Sequence, residues 1–425
     1  MKKYLILAAS AVLVLAACAK VETIKNDVPE AINFGVYAGN AATKAVSATD
    51  YNSLTTALLQ SSTNGFGVFA YYTDAKTYAE AATAGTNKPN FMYNQQVTYS
   101  SPKWTYSPVK YWPNEHGASA VSTDTDKLTF LAYAPYVANF QIGTDKGVSI
   151  KDNQATAAAA TEGIIAMTAN DAAGDATLTF KVPASGDNQI DLLYGVMAET
   201  YQDVENATIG AVGGPLQNLT KQKTNGQIKI LFKHALAKVA IDIKEVVNAA
   251  APTTSVNPAS DGTKVVVKSV KLKGTTIGTQ GSLNLYTHAW SNLTTATEFT
   301  VSPLPAAISV ADAPTAFPTI AGVDEDGLDK TIDFMLIPST TTPATTITGV
   351  EIVYYVCTED TQLAGGVSVV ENKISKNFAT AVTLEQGKQY NLNILLGLTS
   401  IDLTATVDDW TVQSTTNVDL PKNVQ

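Results

Sequence analysis

GFGVFAYY, residues 65–72, crowds Phe66, Val68, Phe69, Tyr71 and Tyr72 into one short run, and that composition predicts a strand over 66–72. The pattern continues on its C-terminal side. Strands are predicted over 91–99, 104–106, 109–112 and 128–134, with Gly, Pro and Asn punctuating them at short spacing. On the N-terminal side, Ile32, Phe34 and Val36 alternate within 31–37, the period of a half-buried strand. Between the two, the small residues 39–43 lead to Lys44, and Asp50 is placed to cap a short helix reaching Leu59.

Further along, residues 152–174 are alanine-rich and fit a helical excursion or a mobile loop equally well; strands resume at 177–182 and 190–197. The polar segment 218–225, followed by Gly226, marks a boundary, giving an N-terminal domain over 31–222 and a C-terminal domain over 223–425. Beyond it, strands are expected at 228–239, 265–272, 282–286, 331–337, 349–357 and 367–370, then in two long alternating stretches near the end. Pro- and Thr-rich connections separate them, and no solenoid period is visible. Many short strands with hardly any helix make this an all-β chain of β-sandwiches.

The N-terminus carries a different message. Lys2 and Lys3 precede an apolar run over 4–15, and Leu15, Ala16 and Ala17 lead to Cys18. A positive flank, an apolar stretch too brief to span a bilayer and small residues before the break are the marks of a secretory signal. The cysteine makes it a lipoprotein signal: residues 1–17 are removed and the thiol of Cys18 takes a diacylglycerol. The mature chain is then expected outside the cytoplasm, tethered to a Gram-negative membrane through residues 18–30. No later apolar stretch is long enough to span a bilayer.

Charged residues are only 16% of the chain, so Thr, Ser, Asn and Gln supply much of the polar surface. The formal charge of −10, which becomes −12 once Lys2 and Lys3 leave, argues against nucleic acid as a partner. All 28 basic residues are lysine. With Cys18 lipidated only Cys357 remains, so no disulfide within the chain is available. Cys357 closes the Val-, Ile- and Tyr-rich run 351–356 and reads as a small buried hydrophobe.

No catalytic constellation is readable, and the chain is expected not to be an enzyme. Imidazole comes only from His116, His234 and His288, none in metal-pair spacing. His234 reads as a structural strand residue. DEDGLD (324–329) is oxygen-rich and bent by glycine but lacks the spacing and distal glutamate of an EF-hand, and reads as an acidic surface turn. No metal and no cofactor are expected. Residues 66–112 hold twelve of the 34 aromatics, Trp104 and Trp112 among them. Exposed, they would stack on sugars; in strands they are core or cross-strand pairs.

Seven segments in chain order carry a resemblance: GFGVFAYY (65–72), FMYNQQVTY (91–99), WTYSPVKYWP (104–113), LTFLAYAPY (128–136), DLLYG (191–195), FKHALAKV (232–239) and GKQYNLNILLG with TATVDDW (387–410). Together they resemble the fimbrillins, the major-pilin-like lipoproteins of type V pili in Gram-negative anaerobes. The resemblance implies two transthyretin-like β-sandwich domains in tandem, lipid-anchored export to the cell surface, proteolytic removal of the first strand and polymerisation by strand exchange with other copies or related pilins. It places the subunit in the outer membrane as a precursor and in the fimbrium once assembled. Fimbrillins typically carry an arginine after the first strand, where this sequence has Thr43, Lys44 and Ala45. An arginine-specific protease has no site here, whereas a trypsin-like one has Lys44. That lysine reads either as the maturation site, with Ala45 as the new N-terminus, or as a solvated loop residue.

Both chain ends are strand-like, which is unusual for termini. Ile32, Phe34 and Val36 form the strand to be displaced. Ile401, Leu403, Ala405 and Val407, continued by Trp410, Val412, Val418 and Leu420, are the candidate donor. The same C-terminal strands read equally as the completion of their own domain. The alternative function is a monomeric surface lipoprotein or pilus-tip adhesin that uses the aromatic strands to bind a glycan or host protein.

Overall fold

The computed structural model describes residues 30–38, 56–62, 64–113, 126–137, 162–184, 189–202, 208–224, 226–246, 263–301, 331–339, 344–364, 366–397 and 401–410. The signal 1–17, Cys18 and the tether up to residue 29, Asp50, His116, the 324–329 turn, Lys44, Ala45, Val412, Val418 and Leu420 lie outside the described residues. The described chain is almost wholly β.

Its elements begin with β1 (Asn33–Ala38), α1 (Thr56–Ser61), β2 (Phe66–Asp74), α2 (Tyr78–Thr83), β3 (Met92–Ser100), β4 (Lys103–Thr105) and β5 (Lys127–Ala134). Next come β6 (Gly163–Met167), β7 (Thr177–Lys181), β8 (Leu193–Met197), β9 (Tyr201–Gln202), β10 (Thr208–Gly210), β11 (Leu216–Leu219), α3 (Lys221–Thr224) and β12 (Gln227–His234). The rest are β13 (Ala237–Val246), β14 (Thr263–Asn284), β15 (Trp290–Val301), β16 (Thr331–Leu336), β17 (Thr346–Glu359), β18 (Val367–Thr383), β19 (Lys388–Gly397) and β20 (Ile401–Asp409).

Several local expectations are corrected. Residues 163–167 are neither helix nor loop but β6, recruited by its antiparallel ladder to β7 and by burial of Ile164. The run expected as one strand over 228–239 breaks at Ala235 and Leu236, so that β12 and β13 enter different sheets. Segments 265–272 and 282–286, expected as separate strands, are joined in the 22-residue β14. Its glycines mark close approaches instead of ends: a Cβ on Gly274 would stand 2.1 Å from the Thr346 carbonyl oxygen, and one on Gly278 would stand 2.6 Å from that of Ile337. Residues 109–112, bracketed by Pro108 and Pro113, make only the Tyr111 bridge to Ala31. The expected helix start falls at Thr56, with Leu59 fully buried on α1.

The largest sheet runs β1-β12-β8-β5-β2-β3-β4, with β11 on β5. A four-stranded sheet runs β16-β13-β19-β20, and a six-stranded one runs β18-β17-β14-β7-β6, with β15 on β14. Relative to the expected boundary at 222/223, β12 follows it yet pairs with β1 and β8 before it, while β7 precedes it and pairs with β14 after it.

At β2 and β5, in the middle of the first sheet, both faces are buried, which is why these two strands lack a polar alternation. Phe69, Tyr71, Leu131 and Tyr133 join Phe180, Leu283 and Phe334 in the larger core between the sheets. Phe66, Val68, Ala70, Phe130 and Ala132 face the other way, into a core closed by β1, Leu59, Trp104 and Trp112. On the outer side of the six-stranded sheet, Lys271 meets Glu298 at 2.9 Å and Glu351 at 3.3 Å, and Glu351 meets Lys373 at 2.9 Å. This ladder ends on β18, an edge strand whose lysines blunt it against pairing with foreign strands.

Candidate functional site

β1 lies at the edge of the first sheet and runs parallel to β12, with Phe34 opposite Ile228, Val36 opposite Ile230 and Ala38 opposite Phe232. The alternation read from the sequence is realised in full: Ile32, Phe34, Val36 and Ala38 are all buried in the smaller core. Phe34 is its keystone, edge-on to Phe66 at 5.9 Å, Tyr106 at 5.6 Å and Phe130 at 6.2 Å between centroids. At roughly 2 kcal/mol each for Ile32, Phe34 and Val36, and under about 1 for the methyl of Ala38, the four contribute about 6–7 kcal/mol gross.

The two ends of β1 are fastened separately. At its N-terminal end, the Ile32 amide donates to the Lys110 carbonyl at 2.9 Å, and the Trp112 amide donates to that of Glu30 at 3.0 Å. The Tyr106 hydroxyl donates to the Ile32 carbonyl at 2.9 Å, and burial pushes this phenol up to about 12. Trp112 is sealed beside them, its indole N–H donating to Gly226 at 3.0 Å. At the other end, the Ala38 amide donates to Thr56 Oγ1 at 2.8 Å, and the Thr56 hydroxyl donates to the Ala38 carbonyl at 2.6 Å.

The C-terminal end is placed differently. β20 is the outer strand of the four-stranded sheet, antiparallel to β19 from Ile401 opposite Leu396 to Asp409 opposite Lys388. Ala405 is exposed and Val407 is 56% exposed, so this stretch turns apolar side chains to solvent. Asn391 donates to Asp408 at 2.8 Å, and Lys388 pairs with Asp409. Trp410 then turns inward, its amide donating to Gly387 at 3.1 Å and its ring stacking on His234 at 3.8 Å.

His234 is structural as expected, and its partners could not be foreseen from spacing. Its Nδ1 lies 3.0 Å from the fully buried carboxylate of Asp191. DLLYG, FKHALAKV and TATVDDW thus each supply one residue to a single buried cluster. Nearby, His288 stacks on Tyr194 at 4.2 Å, and burial with Lys233 beside it pushes the imidazole down to about 4.

Trp104 and Trp112 are 9% and 5% exposed. They belong to the core and offer no sugar-stacking face, contrary to the exposure the adhesin alternative requires of them. The exposed aromatic of that segment is Tyr111. Among the described residues, no three His, Cys, Asp or Glu side chains gather as a metal-binding group, and no helix is long and apolar enough to cross a membrane.

Residues 157–410 match a family model described as fimbrillin-like. The fimbrium subunit Fim1C of Phocaeicola vulgatus is 25% identical over 386 residues, which span 84% of this chain and 85% of that protein. A fimbrial protein from Bacteroides vulgatus, solved by crystallography, superposes with a TM-score of 0.58 at 22% identity, covering 90% of this chain and 100% of that one. The last likeness establishes a shared fold.

Proposed function

The chain belongs to the fimbrillin-like family, and from that premise we propose that it is a structural pilin subunit of a surface fimbria, a type V pilus, assembled by protease-triggered donor-strand exchange and supporting cell adhesion. The precursor is exported under the signal 1–17, holds the outer membrane through lipid on Cys18, and matures by cleavage between Lys44 and Ala45. Its partners are other copies of itself or related pilins. The chain has a structural role and no catalytic one. Its two domains are read as 31–222 and 223–425, the second carrying the donor tail, and β12 and β7 each pair across the boundary between them.

The observation that carries this reading is β1: an edge strand with four buried apolar side chains, joined to the body of the fold through the segment that holds Lys44. Cutting that segment leaves the strand held by non-covalent contacts alone. Its departure opens a slot of unpaired backbone and uncovered Phe66, Phe130 and Ile230, which an incoming strand fills with ladder bonds and alternate side chains. On the donating side, β20 already serves its own sheet and Trp410 anchors it, which favours Val412, Val418 and Leu420 beyond it as the exchanging residues.

Limited trypsin treatment of the folded protein tests the reading. Cleavage after Lys44 should convert monomer into ladders that survive mild denaturant, and Lys44→Ala should remain monomeric. Removing 411–425 should abolish the ladders while β20 stays paired. Fully cleaved protein that persists as monomer would refute the proposal.

A further inference from the structure

We infer that two side-chain hydroxyls, those of Thr56 and Tyr106, form a clasp that holds β1 against the body of the fold after the intervening chain is cut, and so set how quickly the slot opens. The inference deepens the strand-exchange reading above and rests on it.

Along a strand, the amide and carbonyl of one residue point to the same edge, and those of the next residue point to the other. The ladder to β12 uses one edge of β1. On the opposite edge, Ile32 and Ala38, both 1% exposed, have their amide and carbonyl satisfied by groups outside any sheet. Ile32 is met by the Lys110 carbonyl and the Tyr106 hydroxyl, and Ala38 is met twice by the one hydroxyl of Thr56. Buried main-chain groups are costly to leave unpaired, so each hydroxyl resists departure of its end of the strand.

The placement of these residues in the chain gives the clasp its role. Thr56 stands 18 residues after Ala38, with Lys44 between them. A cut at Lys44 therefore leaves β1 on one fragment and both Thr56 and Tyr106 on the other. The backbone no longer enforces the contact, and the hydroxyls do. A side-chain hydroxyl turns about its own bonds, so either end can let go without disturbing the ladder beneath it. Tyr106 also contributes its ring, edge-on to Phe34, so its hydroxyl and its packing are separable by mutation.

The test uses the full chain with Thr56→Val, Thr56→Ser and Tyr106→Phe, substitutions that keep volume or ring. In uncut protein, amide exchange at Ala38 should rise about tenfold in Thr56→Val and stay near the parent value in Thr56→Ser, while β5 is unchanged in both. After trypsin cleavage at Lys44, mass spectrometry should find the β1 fragment leaving about tenfold faster from Thr56→Val and from Tyr106→Phe. Unaltered exchange at Ala38 in Thr56→Val overturns the clasp, as does a fragment that leaves all of the proteins at the same measurable rate. Raised exchange at Ala38 combined with a fragment that never leaves any of them sustains the clasp and overturns the strand-exchange reading instead.

Discussion

The indole of Trp410 lies on the imidazole of His234 with centroids 3.8 Å apart and planes 5° from parallel, and the imidazole meets Asp191 on its Nδ1 side. The last described residue of the chain thereby covers a buried polar pair at the point where β12 crosses towards β13. Removing the indole exposes that pair to water and frees the end of β20. Trp410→Ala should cost about 3–4 kcal/mol in urea denaturation, with β20 amides exchanging before those of β13. Equal protection of the two strands in the variant would show that Trp410 does not anchor β20.

A second prediction concerns acid. His288 titrates near 6.5 when unfolded and about 4 when folded, because burial disfavours the cation and Lys233 repels it. Its Nε2 is buried without a hydrogen-bond partner, which agrees with a neutral ring. A folded value below the unfolded one means the contribution is complete above pH 6.5 and is lost as pH falls from 6.5 towards 4. Discounted for partial exposure, the loss should be about 1–2 kcal/mol. His288 has φ +60°, which asparagine tolerates, so His288→Asn should fold and should flatten denaturation midpoints over this interval. An unchanged slope would exclude His288 as the source.

The precursor should depend strongly on Phe34. Truncation to alanine removes three edge-on ring contacts and leaves a cavity that the surrounding strands cannot fill, at a cost of about 3–5 kcal/mol. Uncut Phe34→Ala should bind a hydrophobic dye that the parent protein does not. Parent-like stability would mean that β1 contributes little to closing the smaller core.

Gly65 should be irreplaceable for a backbone reason. Its φ is +59°, and a Cβ there would stand 2.0 Å from the Val97 carbonyl oxygen. Gly65→Ala should lower stability by about 2–4 kcal/mol, measured by thermal or urea unfolding, through displacement of β3 from β2. A loss confined to a few tenths would indicate that this turn relaxes freely.

Period-two patterns were the part of the fold open to reading: Ile32, Phe34 and Val36 alternate, and they are buried as β1. The family resemblance is matched by the fimbrillin-like model over residues 157–410, which hold the last three of the seven motifs. α2 was also within reach, since Thr77 and Glu80 form a capping box, a local signal overlooked among aromatic strands. β18 was largely hidden because Ile374, Phe378 and Val382, which pack on the larger core, stand four residues apart with polar or small residues between them, leaving no continuous apolar alternation. β14 was hidden by its glycines, whose meaning depends on which backbone passes over them. The Asp191, His234 and Trp410 cluster joins residues far apart in the chain, and no spacing encodes such a meeting. The burial of Trp104 and Trp112 likewise depends on a second face of the first sheet that composition does not reveal.

β14 hydrogen-bonds to β15 along one edge and to β17 and then β7 along the other. One uninterrupted segment of backbone therefore ties the outermost hairpin to strands laid down early in the chain. A pull along its axis meets those ladders in shear, so many bonds must fail together, whereas a peeling load breaks them one by one. Tension entering this strand at either end is shared between the strands flanking it on both edges of one sheet, as a spar carries load to the ribs on either side of it.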